Sequence, residues 1–303
     1  MSKIKLFSVY YSLSNLNYKK TIKTDVIEPI QTGKDSTNFD LAMLSDNEGD
    51  NISRKNPYYG EMTCWYWVWK NYIKTHPDVE YIGFTQYRRL PVLIPERKGD
   101  DKGHYLKLVS KDDFDTITKK FTEDNIYKKV APYDLIITKK WNTLVTTRWE
   151  FTSFLPPFEW INARESFIKG EESEREWFNT VMERRSARYK CNFIMKRELF
   201  EEFASWLFER LFDYESKSAW KDEYPPKKEN ARIAAFLTEC FMNLWIEKQL
   251  LNKDIKVKEV NLYEEKIKEK LTYDNIQRLK WFFTFPKHLN NVRIAKKILT
   301  LKH

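Results

Sequence analysis

The sequence predicts an α/β fold: a sheet of short apolar strands with helices packed on it. Two observations carry this. Apolar runs bounded by turns, IKLFSVYY (4–11), VEYIGFT (79–85), PYDLIITKK (132–140), YKCNFIMKR (189–197) and KVKEVNLY (256–263), are of strand length. Segments with helical periodicity stand between them, an alternation characteristic of strands joined by helical crossovers.

After the first strand, a polar stretch runs from about Asn15 to Asp50, and DNEGDNISRKN (46–56) reads as a loop. YGEMTCWYWVWKNYI (59–73) has no Gly or Pro after Gly60; Met62, Trp65, Tyr66 and Trp69 recur at helical spacing, and Trp67 and Val68 extend the apolar surface nearly all round. It is a buried helix, and its tryptophans are core. Thr75–Asp78 turns the chain into the strand 79–85. SKDDFDTITKKF (110–121) is a helix with Ser110 as N-cap and acids in its first turn. RWEFTSFLPPFEW (148–160), with two prolines, reads as irregular, and the charged 162–185 as helical. ELFEEFASWLFERLFDYE (198–215) is an amphipathic helix, 221–228 a loop around Pro225 and Pro226, and NARIAAFLTECFMNLWIEKQL (230–250) a long apolar helix.

The chain has 303 residues, 42% hydrophobic and 16% aromatic, enough for a substantial core. Cys64, Cys191 and Cys240 are widely separated, with no CxxC, which points to a reducing compartment without disulfides or zinc. The first residues are too polar for a signal peptide and no run reaches the ~18 apolar residues of a membrane span; the expectation is a cytoplasmic protein, soluble or peripheral on the inner face of a membrane. The net charge of +9 is uneven: residues 263–303 hold ten Lys/Arg against four Asp/Glu, together with Trp281, Phe282, Phe283 and Phe285. A basic aromatic tail fits an anionic lipid surface, although a solvated helical face explains it equally. No RNA-binding motif accompanies the charge, so nucleic acid is not expected as a partner.

No GxGxxG, P-loop or GxSxG occurs, and His76, His104, His288 and His303 are isolated, which leaves no dinucleotide fingerprint, histidine metal cluster or serine triad. The one D-x-D, Asp113 to Asp115, falls in a helix's first turn, where the dipole favours acids without any metal. The strand 79–85 ends in TQYRR. Ligands of α/β sheets bind beyond the carboxyl ends of strands, and arginine's planar fork matches phosphate oxygens. In an extended strand Arg88 and Arg89 point apart; a turn at 87–89 is needed for them to converge. The alternative is an ion-pair site for acids such as Glu80 or Glu96.

DNISRKNPYYGEMTCWYWVWKN (50–71), followed by VEYIGFTQYRR (79–89), resembles the bacterial capsular and exopolysaccharide glycosyltransferases grouped as domain of unknown function 4422, whose pattern is roughly GDNIS-x-KN, E-[LM]-T-x-x-YW-x-WKN and DYIG-x-x-HYRR. YKCNFIMKRELFEEFASWLFERLF (189–212) and ARIAAFLTECFMNLW (231–245) resemble later blocks of that family. The resemblance spans about residues 4–262 and leaves 263–303 as a separate tail, expected to be a helical extension. Two positions depart from the pattern: Gln86 replaces a His, and Cys240 an Arg.

The resemblance implies a GT-A-like, Rossmann-related nucleotide-sugar-binding domain and a glycosyltransferase using a UDP-sugar, in some relatives galactofuranose, on a lipid-linked or polysaccharide acceptor. It implies inversion and no required cofactor, with magnesium or manganese as the alternative. Arg88 and Arg89 would replace the metal at the leaving diphosphate. Tyr10, Asp50, Asn51, Ser53, Asn56, Glu61, Thr85, Gln86, Tyr87, Asn192 and Arg232 are the donor-side candidates, although Asp, Asn and Ser also favour turns on their own account. Glu239, seven residues after Arg232 and on the same helical face, is the candidate base, or else that arginine's ion-pair partner. Glu150, Glu159 and Trp160 are the acceptor-side candidates.

Overall fold

In the computed structural model, residues 2–12, 23–154, 157–218, 232–252 and 254–266 are described. The loop expected at 221–228 and the tail from 267 to 303 lie outside the described residues.

Seven strands form the main sheet: β1 (Ile4–Tyr10), β2 (Ile27–Gln31), β3 (Leu44–Ser45), β4 (Tyr81–Gln86), β7 (Leu135–Thr138), β10 (Phe193–Lys196) and β11 (Val257–Val260), in the order β11-β7-β10-β4-β1-β2-β3. β1 pairs with β2 and β4 in parallel, β2 with β3 likewise, and β7 with β11. β10 alone runs antiparallel, between β4 and β7. The start of β10 therefore shares an edge with the carboxyl ends of all the others. Every residue of β1 is buried, as expected of a strand covered on both faces. Gly83 is required here: a Cβ would stand 2.7 Å from the carbonyl of Phe193 and 2.9 Å from Leu6 Cδ1.

Helices cover both faces. On one, Phe7, Val9, Phe84, Phe193 and Ile137 pack with the helical run Met62–Thr75, which contains a π turn at Val68–Tyr72, and with the helices Pro157–Ile168, Glu172–Met182, Arg197–Lys217 and Ile233–Asn252. Trp65 is buried at its centre, 5.2 Å from Phe84 and 4.9 Å from Phe193 between ring centroids; Trp67 is buried and Trp69 packs against the same cluster. On the other face, Leu6, Ile136 and Ile194 meet Phe114 and Ile117 of the helix Lys111–Lys119 and Ile126 and Val130 of Glu123–Val130. A second sheet joins β5 (Arg89–Pro91), β12 (Leu262–Glu265) and β6 (Leu106–Val109) in the order β5-β12-β6. A two-stranded ribbon pairs β8 (Trp141–Asn142) with β9 (Ser186–Ala187).

Three expectations are corrected. Residues 148–160 are helical, in Thr147–Phe154 and then Pro157–Ile168; Pro157 opens the second helix, where a missing N–H costs nothing. The segment 256–263 is two strands in two sheets, β11 and β12. A boundary at 262 therefore cuts β12, which continues through Glu265.

Candidate functional site

β4 ends in a turn at Tyr87–Arg88 and the chain resumes as β5. That turn brings the arginines together on a partner far along the chain. Arg88 Nη1 lies 3.0 Å from Glu264 Oε1, and Arg89 Nε lies 3.1 Å from Glu264 Oε2. Neither Glu80, which pairs with Lys3, nor Glu96, which pairs with Lys120, takes part. Both arginines are buried, at 8% and 4% exposure. β12 supplies Glu264 by pairing antiparallel with β5, in the register Glu264↔Arg89.

Around this triad the neighbouring polar groups interlock. Arg89 Nη1 donates to Gln86 Oε1, and Gln86 Nε2 donates to Glu61 Oε2 at 3.0 Å. Thr85 Oγ1 stands 2.6 Å from Arg89 O and 2.7 Å from Asn192 Oδ1, tying the end of β4 to the start of β10. Burial pushes the Glu61 carboxyl above its ordinary range, against the Gln86 bond and the charges of Arg232 and Arg89. The Arg232 guanidinium lies over Gly60: a Cβ there would be 2.6 Å from its Nη2.

The helix Ile233–Asn252 fixes the approach to β10 through side chains at i, i+4 and i+8, which share one face. Glu239 Oε1 accepts the Lys190 N–H at 3.0 Å. Asn243 accepts the Arg188 N–H at 2.7 Å and donates to its carbonyl at 2.8 Å. Glu247 pairs with the Arg188 and Arg184 guanidiniums at 2.6 Å each. Lys190 and Cys191 have φ of 79° and 44°, a region that side-chain-bearing residues seldom occupy. Glu150 accepts the Tyr189 hydroxyl, and its carboxyl is pushed up by burial, with the nearby charge of Glu239 adding to the rise. Tyr105, just before β6, is pushed up to about 12 by burial, within the field of Arg89, Glu239, Glu264 and Glu150.

Glu61, Thr85, Gln86, Arg88, Arg89, Glu150, Asn192, Arg232 and Glu239 thus gather at one edge of the sheet. The other candidates make different contacts. Glu159 is buried and accepts from Tyr214 and Ser218, and Trp160 packs 5.3 Å from Phe178 in the core; neither faces an acceptor. Tyr10 and Tyr87 pack on each other and on Leu41. In the loop after β3, Ser53 and Asn56 serve an inner network around Asp46, which is fully buried. Asp46 accepts from Gly33 N at 2.8 Å, Lys34 N at 3.1 Å, Ser53 Oγ at 2.6 Å and Thr63 Oγ1 at 2.5 Å. Asn56 donates to Gly60 O at 2.7 Å. Asn51 caps its own loop through Asn47 and Gly49, and Asp50 accepts from Tyr66 at 3.0 Å. Turn chemistry explains these four residues.

Lys190, Glu264 and Tyr105 were not anticipated from sequence. The only signal for Glu264 was its charge in a segment that follows a strand. The Asp113 backbone N–H donates to the capping Ser110 Oγ at 3.1 Å, and the Asp113 carboxylate pairs with Arg97 at 3.0 Å. Among the described residues no group of three His, Cys, Asp or Glu is placed to hold a metal ion.

The family model for domain of unknown function 4422 matches residues 14–250, well over half of the chain. The chain belongs to that family. No curated protein matches it. Among solved structures it is similar to the apo structure of WbbM, a bifunctional glycosyltransferase, with a TM-score of 0.74 at 22% identity over 87% of this chain. The likeness is one of fold, and supports the GT-A-like assignment. The chain spans 45% of the length of that protein. Arg88, Arg89 and Glu239 lie within the family's match and Glu264 beyond it. Cys240, where the family pattern has Arg, is buried, with its Sγ 3.5 Å from Met182 Sδ. No helix among the described residues is long and apolar enough to cross a membrane.

Proposed function

We propose that this family member is an inverting, metal-independent hexosyltransferase. It would move galactose or galactofuranose from a UDP-sugar to a growing capsular, exopolysaccharide or O-antigen glycan. The observation that supports this most is the convergence of Arg88, Arg89 and Lys190 with Glu61, Glu150 and Glu239 at the carboxyl edge of a parallel sheet, where α/β folds bind ligands.

The acceptor hydroxyl attacks the anomeric carbon as the bond from that carbon to the β-phosphate oxygen breaks. UDP leaves with the electron pair, and the acceptor proton passes to Glu239. One Glu239 oxygen is held by the Lys190 N–H, which orients the carboxylate and leaves the other oxygen for the acceptor. The basic cluster offsets the charge that develops on the diphosphate. Residues 267–303, basic and aromatic, would seat the enzyme on anionic lipid at the inner membrane face, near a lipid-linked acceptor.

Calorimetry with UDP, in magnesium and again in EDTA, tests the donor site. Binding that survives EDTA and weakens in Arg88→Ala or Arg89→Ala supports the reading; binding that requires magnesium overturns metal independence. Glu239→Gln is expected to lower transfer by about 10²–10⁴-fold with UDP affinity unchanged. UDP binding without transfer to any glycan would instead describe a nucleotide-binding protein that keeps the fold. Removal of residues 267–303, which spares Glu264, should abolish flotation with anionic liposomes.

A further inference from the structure

The cations of this site differ in what they touch. Arg88 and Arg89 share Glu264, and Arg232 stands exposed at the rim. Lys190 is mostly buried, yet its ammonium makes no ion pair or hydrogen bond with any described residue. Its surroundings are Arg88, Arg89, Glu239 and Glu264, all felt as charges, and desolvation holds its pKa below the ordinary lysine value.

The backbone adds a second observation. Lys190 and Cys191 both stand in the left-handed region, and Lys190 carries a long side chain where glycine would be the relaxed choice. Such conformations persist where the surroundings over-determine them, and they gather at ligand sites. Here Glu239 holds the Lys190 N–H, Asn243 grips Arg188 at both backbone groups, and the Asn192 side chain donates to the Lys190 carbonyl. The conformation is braced from three sides, and what it positions is an ammonium that makes no ion pair with a described residue.

We propose that Lys190 is the residue that grips the donor's diphosphate, and that Arg88 and Arg89 are positioning residues whose charges Glu264 fixes in place. The inference rests on the transferase reading above. A compact ammonium with three donors can meet oxygens of either phosphate from a confined position, where a planar guanidinium needs a matching fork. The diphosphate would supply the direct ionic partner that no described residue provides.

Lys190→Gly tests this, because glycine relaxes the backbone while removing the charge. UDP and uridine are titrated into the wild type, Lys190→Gly and Lys190→Arg. The expected result is a UDP Kd raised about 10–100-fold in Lys190→Gly, the equivalent of one lost charge-assisted bond. Uridine binding and heat stability should be maintained, and Lys190→Arg should recover part of the UDP affinity. UDP binding within twofold of wild type in Lys190→Gly overturns the inference alone. Equal losses for UDP and uridine also overturn it, since they indicate a structural role. A wild type that binds no UDP overturns the transferase reading, and this inference with it.

Discussion

Two polar clusters lie at the same edge of the sheet and are built on opposite principles. Around Asp46, one carboxylate is met by two backbone N–H groups and by the hydroxyls of Ser53 and Thr63. Every donor points inward, and the cluster is closed. At the end of β4, two guanidiniums share one carboxylate, a lysine pairs with none among the described residues, and three further carboxylates stand near one another. A buried polar network that satisfies itself specifies a loop. One that retains charge needs something more to complete it. The sequence makes the loop look like the site, because Asp, Asn and Ser are dense there; the structure shows that loop hydrogen-bonded to itself.

The strongest way to break the comparison is Glu264→Ala, which leaves two buried guanidiniums without their carboxylate. We expect a loss of about 3–5 kcal/mol in urea unfolding, and a larger rise in melting temperature with UDP than the wild type shows. An unchanged unfolding midpoint would mean that water already reaches the arginines. Next, Asp46→Ala orphans several donors and should lower stability by about 3 kcal/mol while the folded protein binds UDP as before. A parallel fall in UDP affinity would make the loop part of the site after all.

A smaller effect comes from pH. The Glu61 carboxyl is raised in the folded protein by burial, so the native state holds its proton to higher pH than the unfolded chain does. Its contribution is therefore fully favourable below the unfolded value and is lost as pH rises through the folded one. Glu61→Gln should flatten that part of the stability profile, with the gain over wild type growing as pH rises above the ordinary glutamate range. Identical slopes would place Glu61 in water. Smallest is Gln86→His, which restores the family's residue. A neutral imidazole can accept from Arg89 and donate to Glu61 as Gln86 does, so UDP affinity should stay within about threefold, less than 1 kcal/mol. A larger change would show that position 86 does more than link its neighbours.

Much of the fold was legible because its central strands are buried on both faces and apolar throughout, as in IKLFSVY. β2 was not: IEPIQ carries Pro29 and two polar residues, features that argue against a strand, and parallel pairing with β1 outweighs them. The helix EDNIYKKV (123–130) is too polar and short to stand out until Ile126 and Val130 are seen against the sheet. In the candidate site, Arg88, Arg89 and Glu239 were legible from residue chemistry and a family pattern. Lys190 was not, because a left-handed backbone at Lys-Cys leaves no mark in composition. Glu264 was hidden by its place in a basic tail. Glu159 and Trp160 misled because an aromatic, proline-containing segment resembles a sugar-binding surface as readily as a pair of helices.

Glu264 follows Arg89 by 175 residues. During synthesis at roughly 5–20 residues per second, the arginines leave the ribosome on the order of 10–35 s before their carboxylate exists. The growing chain can assemble β1, β2 and β4, but the second sheet waits for its middle strand. A chain stopped before β12 would carry both arginines and lack the carboxylate that pairs them.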